Sequence, residues 1–129
     1  MNFATDALVS SLMSMSREEI GARMIASELE QGFTLVKDAA WLDWHEWDEH
    51  TIITQDNKRV RLVALQAKNP GTGAFTRLIR KIFACNQHPV LVEPNQLLID
   101  WCERHDFRSK RIGKGKYRHE LWYPMRCAY

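Results

Sequence analysis

The segment that most constrains the fold is a strand that runs through a glycine-containing loop directly into a helix. Residues 59–66 alternate between apolar and polar side chains, and the loop after them carries Gly71 and Gly73. Apolar residues then recur at helical spacing over residues 75–83. The first amides of a helix have no internal acceptor, and the helix dipole adds partial positive charge there. The segment therefore predicts either a phosphate-binding cradle or a plain structural turn.

Two common phosphate-binding motifs fit this loop poorly. A P-loop needs Lys followed by Ser or Thr after its second glycine, whereas Ala74 and Phe75 follow here. A dinucleotide-binding fingerprint needs a third glycine, which the loop lacks, although Glu93 lies near the distance of its acidic residue. The loop also follows several predicted strands instead of the first one. The P-loop is thus excluded and the dinucleotide fingerprint is disfavoured.

The order of the predicted elements indicates an α/β fold with helices on the faces of one sheet. One helix is predicted at residues 5–13. Another starts at Ser16, whose capping-box partner is Glu19, and stops at Gly32. Two more helices follow the glycine loop and the Pro94-Asn95 pair. Strands are predicted at residues 33–36, 51–54, 59–66, 89–92, 110–112 and 117–123.

Length and composition favour a single domain over residues 1–129. No apolar run reaches the roughly 18 residues of a membrane span, and the N-terminus has no signal-peptide pattern. Three widely spaced cysteines do not suggest a disulfide framework. We therefore expect a reduced, cytoplasmic protein with no membrane association.

The charges are divided unequally along the chain. Residues 1–57 hold eleven acidic and three basic side chains, and residues 58–129 hold five acidic and fifteen basic ones. This split predicts that the C-terminal half meets an anion, such as a cofactor phosphate or a nucleic acid. Alternatively, the two halves neutralise each other across the fold.

The glycine loop matches a pattern known from one family of enzymes. Lys68, Gly71 and Gly73 fit Arg/Gln-x-x-Gly-x-Gly/Ala, with Lys68 in place of the usual Arg or Gln. An apolar residue, Val63, stands five positions before Lys68. In that family this pattern is the pyrophosphate loop.

A second segment strengthens the match. Residues 95–107 read N-Q-L-L-I-D-W-C-E-R-H-D-F, beside the typical spelling N-x-x-A-x-x-L-Y-E-K-L-G-F. Through both segments, in their order and spacing, the chain resembles the GCN5-related N-acetyltransferase (GNAT) superfamily. The resemblance covers about residues 59–107 and extends through the last strands, whereas residues 1–57 match in element order alone.

The resemblance implies a mixed, mostly antiparallel central sheet with helices on both faces. It implies transfer of an acetyl or other acyl group from coenzyme A to an amine, with acetyl-CoA as co-substrate and no metal. The acceptor is a small molecule, a peptide or a nucleic acid. The Val63 amide is implied as the donor to the developing oxyanion. The implied cofactor-binding residues are Leu62, Val63, Lys68, Gly71, Thr72, Gly73, Ala74 and Asn95.

The catalytic candidates are a cysteine, as the acid, and several carboxylates, as the base. Cys102 stands where the family often has an acid tyrosine, so it either donates a proton to the leaving thiolate or packs in the core. Asp106 replaces the glycine of the same motif. The candidates for the general base are carboxylates, each of which is otherwise a solvated surface group. They are Glu46, Asp48, Glu49 and Glu93.

The aromatic and histidine-rich stretch before residue 51 has several interpretations. Trp41, Trp44 and Trp47 either contact substrate or pack in the core. His45 and His50 lie among carboxylates, but their spacing matches no zinc signature, so no metal is expected.

Two other functions stay open. Basic residues with interleaved aromatics over residues 108–118, followed by Trp122 and Tyr123, are typical of nucleic-acid binding or modification, or of a solvated hairpin. The short N-terminal half and the missing tyrosine also fit a catalytically degenerate GNAT-like structural protein.

Overall fold

The computed structural model describes residues 16–127, which form one six-stranded sheet with three α-helices. The helices are α1 (Arg17–Glu30), α2 (Ala74–Ala84) and α3 (Gln96–Arg104). The strands are β1 (Thr34–Leu35), β2 (Ile52–Asp56), β3 (Arg59–Ala64), β4 (His88–Val92), β5 (Phe107–Ile112) and β6 (His119–Pro124). The expected α/β class is confirmed. The helix predicted at residues 5–13 lies outside the described residues.

The sheet combines one parallel pair with antiparallel neighbours. Its strands lie in the order β1-β2-β3-β4-β6-β5. β3 and β4 run parallel, and the other neighbouring pairs of this described sheet are antiparallel. Parallel strands need a long crossover connection, which α2 supplies. The expected mixed, mostly antiparallel sheet is therefore confirmed.

Successive side chains of each strand point to opposite faces of the sheet, and helices cover both faces. Val60 and Leu62 of β3 join a core cluster with Leu78 of α2 and Cys102 of α3. Arg61, between them in sequence, points to the opposite face and meets α1. Val90, Val92 and Leu121 form a second cluster beside it, against which Val63, Ile112 and Tyr123 pack.

A buried ion pair ties α1 to the sheet. The Glu28 carboxylate accepts hydrogen bonds from Arg61 Nε at 2.8 Å, Arg61 Nη2 at 2.9 Å and the Thr54 hydroxyl at 2.6 Å. Burial raises the pKa of Glu28, but these hydrogen bonds and the Arg61 charge outweigh it, so the pKa lies below its ordinary value. Removing one partner of such a pair costs about 3–5 kcal/mol, because a buried charge is left uncompensated.

The local start and stop signals of α1 are confirmed. The Ser16 hydroxyl accepts a hydrogen bond from the Glu19 amide at 3.1 Å, which is the N-cap bond of the predicted capping box. Gly32 follows the helix with φ 93°, a conformation that glycine adopts without a steric penalty. The predicted hairpin between β2 and β3 is also present, with Asp56 opposite Arg59.

The segment between β1 and β2 folds as turns. Trp41 and Trp47 are buried in the core, whereas Trp44 is exposed and donates its indole N–H to the Lys37 carbonyl at 2.7 Å. The packing interpretation therefore holds for the two buried indoles.

No helix within residues 16–127 is long and apolar enough to cross a membrane. The three cysteines, at positions 85, 102 and 127, are free thiols.

Candidate functional site

β3 and β4 separate before either strand ends. Their parallel register runs from Arg59 opposite His88 to Leu62 opposite Leu91 and goes no further. On its other side, β3 pairs Leu62 with Ile53 and Ala64 with Ile52. Val63 is therefore the extra residue of a β-bulge, with no opposing residue in the register of either neighbour. Bulges of this kind often lie next to functional sites, where they redirect a strand.

The chain after β3 turns away from β4 and pairs with the turn segment before β2. The Asp48 amide donates to the Gln66 carbonyl at 2.8 Å, and the Lys68 amide donates to the Glu46 carbonyl at 2.9 Å. Trp47 and Ala67 form an isolated antiparallel bridge between these bonds. Beyond Leu62 and Leu91 the two central strands are therefore unpaired, and we call this unpaired end of the strand pair the gap.

The loop at residues 68–73 delivers the chain to the start of α2. Gly71 and Gly73 have φ values of 81° and 82°, which disfavour a side chain at either position. Gly73 is the N-cap residue of α2 and provides no side-chain cap, and the first turn contains no acidic residue. The Thr72 hydroxyl donates to the Asn69 carbonyl at 2.8 Å, not to the helix. The first amides of α2 thus lack a side-chain acceptor within the described part of the chain.

Arg77 fixes the shape of this loop. Its Nη1 donates to the Thr72 carbonyl at 2.6 Å, and its Nε donates to Glu46 Oε1 at 2.7 Å. Lys81 Nζ lies 3.9 Å from the other Glu46 oxygen. Glu46 is therefore a structural partner of α2 in this conformation, not a carboxylate facing an open cleft.

A cleft of about 310 Å³ opens between the loop and the start of α3, and we call it the loop cleft. Asn95 caps α3 there, because its side chain accepts a hydrogen bond from the Leu98 amide at 3.0 Å. The cleft also contains a charged group, Arg104. Its main lining residues are Trp47, Gly71, Gly73, Ala74, Asn95 and Trp101.

Aromatic rings form one wall of the loop cleft. Trp101 meets Phe75 edge-on with ring centroids 4.7 Å apart and stacks on His105 at 3.9 Å. Its indole N–H donates to the Thr76 hydroxyl at 3.3 Å. This packing fixes the orientation of the indole beside the uncapped end of α2. The wall is suited to an apolar chain or a flat ring attached to an anion.

A second cleft, of about 280 Å³, lies on the opposite face of the sheet, and we call it the His119 cleft. Val63 and Glu93 line this cleft. Leu65 and Asn95, each two residues further along the chain, line the loop cleft on the other face. The two clefts therefore flank the same gap. The other lining residues are Arg23, Met24, Ser27, Glu28, Val92 and His119.

Glu93 is held in a fixed position at the end of β4. Its backbone has φ 47°, an uncommon conformation for a residue other than glycine. Its amide donates to the Glu120 carbonyl at 2.9 Å, and its Oε1 accepts from the Glu120 amide at 2.7 Å. His119 Nδ1 lies 3.8 Å from the same oxygen. A carboxylate and an imidazole thus stand together in the His119 cleft, which is an arrangement suited to proton transfer.

Cys102 occupies a different environment. Its side chain is fully buried in the core cluster and lines neither the loop cleft nor the His119 cleft. Burial, assisted by the nearby Glu103 charge, raises the pKa of the Cys102 thiol to about 12. An ordinary thiol has a pKa of about 8.5, so proton transfer from Cys102 to a leaving thiolate is unfavourable. Of the two roles that the sequence left open, burial supports packing.

The remaining predicted residues fall in several places. Leu62 is buried in the core beneath the gap, and Lys68 is exposed at the start of the loop. The Asp48 carboxylate accepts from the His50 amide at 2.9 Å. The Glu49 side chain is 87 % exposed and lies away from both clefts. Among the four base candidates, Glu93 is the one that lines a cleft at the gap.

Sequence reasoning missed His119 and Arg77 as residues of the site. His119 stands at the start of a strand, and its partner Glu93 is far away in sequence, so no local spacing connects them. Arg77 looked like an exposed helix residue. Its position four residues after a glycine N-cap was the available signal, because that spacing lets a long side chain reach back to the loop.

A larger cavity, of about 610 Å³, lies beside α2 and the end of β6. It is lined by Ile79, Phe83, Trp101 and Arg126, and the Arg126 guanidinium covers the Phe83 ring at 3.6 Å. Its lining reaches Thr76 in the first turn of α2, but it includes no residue of β3 or β4. We therefore place the candidate site at the two smaller clefts.

Comparison with known proteins returns no match: no family model, no curated protein and no solved structure is similar enough to assign the chain to a family. The functional interpretation rests on the geometry above and on the motifs in the sequence.

Proposed function

We propose that this chain is a GNAT-type N-acyltransferase that moves an acetyl or other acyl group from coenzyme A to an amine. The observation that carries the proposal is the gap between β3 and β4, with one cleft on each face of the sheet. Such a gap lets a thioester be held from one face and attacked from the other. The GNAT superfamily uses a splay between two central parallel strands in this way.

The order of the strands supports the same assignment. A parallel pair joined by one helix lies at the centre, and the two C-terminal strands are exchanged in the sheet order. The glycine loop joins the first of these parallel strands to the connecting helix, where the family's pyrophosphate loop lies. The fold and the two sequence motifs therefore point to the same site.

Coenzyme A would occupy the loop cleft. The amides at the start of α2 would bind the pyrophosphate, since the helix dipole and the absence of a side-chain cap favour an anion there. The pantetheine arm would run toward the gap beside Trp47 and Asn95, and Arg104 would add positive charge at the rim. The chain's contribution is thus to hold the thioester in a fixed position at the gap.

The acceptor amine would approach from the His119 cleft. Its nitrogen must be neutral to form a bond to the thioester carbonyl carbon, so a base must remove one proton. The carbonyl oxygen becomes an oxyanion, to which the Val63 amide in the bulge would donate. Breaking the carbon–sulfur bond then yields the amide product and the coenzyme A thiolate, which takes up a proton.

Glu93 and His119 are the proposed route for the amine's proton. Both line the cleft on the acceptor side, and the Glu120 amide orients the Glu93 carboxylate. The burial of Cys102 leaves solvent as the simplest proton source for the leaving thiolate, because the buried thiol lines neither cleft.

The cofactor site is tested by titration calorimetry with acetyl-CoA. Gly73→Asp places a carboxylate where it competes for the α2 amides and repels the pyrophosphate. We expect binding at least about tenfold weaker, a loss of about 1.4 kcal/mol. Gly32→Asp is the control for backbone strain and added charge, because Gly32 also has a positive φ but follows α1, outside the loop. If both variants bind like the unaltered protein, the loop is not the pyrophosphate site.

A further inference from the structure

The exposed edge of the sheet carries a dense group of cations, which we call the basic surface. It comprises six residues of β5 and the turn that follows it: Arg108, Lys110, Arg111, Lys114, Lys116 and Arg118. All six are exposed. Within the described residues 16–127, carboxylates pair with two of them, Arg111 with Glu120 at 3.8 Å and Lys116 with Glu30 at 3.6 Å. The charge of the basic surface is therefore largely uncompensated by the fold.

Protection of a sheet edge explains only part of this charge. β5 is an outer strand, and exposed lysines on such strands prevent edge-to-edge aggregation. The cations continue past β5, however, into a bend and a short 3-10 helix (Gly115–Tyr117), where there is no open strand edge. A surface that extends beyond the strand indicates attraction to an extended anion.

The arrangement on β5 suits a nucleic-acid strand. Arg108 and Lys110 lie on one face, opposite Tyr123 and Leu121 of β6. Residues two apart in a strand are separated by about 7 Å, so the two cations are spaced by about 7 Å along one face of β5. The half-buried Tyr123 lies directly opposite Arg108 in the register, so an aromatic residue and a cation are cross-strand neighbours. Bases stack on such rings, whereas the carboxylates of an acidic peptide have no ring for this contact.

We propose that the basic surface binds single-stranded nucleic acid, with phosphates along Arg108 and Lys110 and a base against Tyr123. The strand would lie on the same face of the sheet as the His119 cleft, because Tyr123 packs against the cluster that contains Val92. The inference goes beyond acyl transfer, and its test requires neither acetyl-CoA nor an acceptor.

The test measures binding of a fluorescein-labelled single-stranded RNA of mixed sequence by anisotropy between 25 and 200 mM salt. For single strands the slope of log K against log salt is about −0.7 per phosphate contact, so six contacts give a slope of about −4. Arg108→Gln with Lys110→Gln should make that slope shallower by about 1.4 and weaken binding at low salt. The matched control is Lys37→Gln with Lys58→Gln, which removes the same charge from exposed positions away from the basic surface.

Three outcomes would overturn the inference. The first is the absence of binding at 25 mM salt. The second is an equal loss of affinity in the control pair, which would mean that net charge alone attracts the RNA. The third is equal competition by polyglutamate of matched charge, which would indicate a general polyanion surface. Circular dichroism of both double variants verifies that the fold is intact, and Tyr123→Leu separately tests the stacking contact.

Discussion

Cys102 offers a test of whether this chain keeps the acid chemistry of the family it resembles. In Cys102→Ser a hydroxyl replaces a thiol that is fully buried among apolar side chains of the core. Burying a hydroxyl without a good partner costs about 1–3 kcal/mol. Unfolding of 129 residues carries an entropy of about 2.1 cal/mol/K per residue, so each 1 kcal/mol lowers the melting temperature by about 4 °C. We therefore expect the melting temperature to fall by about 4–11 °C.

Two assays separate packing from catalysis. Thermal unfolding followed by circular dichroism measures the stability of Cys102→Ser and Cys102→Ala. Turnover is measured as release of free coenzyme A thiol at saturating acetyl-CoA, with a panel of primary amines, at a temperature where all variants are folded. The packing role predicts lower melting temperatures with turnover within a factor of about two of the unaltered protein.

The opposite pattern would refute this reasoning. Loss of a general acid reduces turnover by about 10²-fold or more. If Cys102→Ala keeps its melting temperature but loses turnover by that factor, the thiol takes part in the reaction. The raised pKa that we attribute to burial would then not describe the working enzyme.

The Glu28–Arg61 pair and the carboxylate of the His119 cleft lead to two more predictions. Glu28→Gln should lower the free energy of unfolding by about 3–5 kcal/mol, measured by denaturant titration, because Arg61 stays buried without its counter-charge. The pKa of Glu28 is lowered in the folded state, so the stability that the pair contributes is full above the ordinary pKa of about 4.3. That stability is lost as the pH falls through the pKa of the folded state. A Glu28→Gln variant with the same acid sensitivity as the unaltered protein would contradict this. Glu93→Gln should reduce turnover by about 10²-fold at neutral pH and recover toward alkaline pH, where the amine loses its proton unaided. Exposed Glu18→Gln is the control, and an unchanged pH–rate profile in Glu93→Gln would exclude Glu93 as the base.

The elements with local signals were predictable from the sequence. The N-cap at Ser16 and the stop at Gly32 depend on residues close together in the chain, and both are present. The hairpin of β2 and β3 was predicted because a turn pair separates two β-branched or alternating runs. The glycine loop before α2 was predicted for the same reason, because the glycines that allow its backbone conformation lie within the loop itself.

The contacts that complete the site were not predictable, because they join distant parts of the chain. The bulge at Val63 arises from the register of β2 on β3, which no single segment encodes. The ion pair of Glu28 with Arg61 and the approach of Glu93 to His119 need the finished sheet to bring them together. The burial of Cys102 likewise follows from how α3 packs, so the sequence left its role open.

The central claim is that coenzyme A lies across the gap with its pyrophosphate on the α2 amides. Its most direct test is a titration of ¹⁵N-labelled protein with acetyl-CoA, followed by amide chemical shifts. We expect the largest shifts at residues 71–74 and at Val63, and small shifts in α1 and β1. The absence of shifts at millimolar acetyl-CoA, or shifts confined to the larger cavity beside Phe83, would contradict the claim.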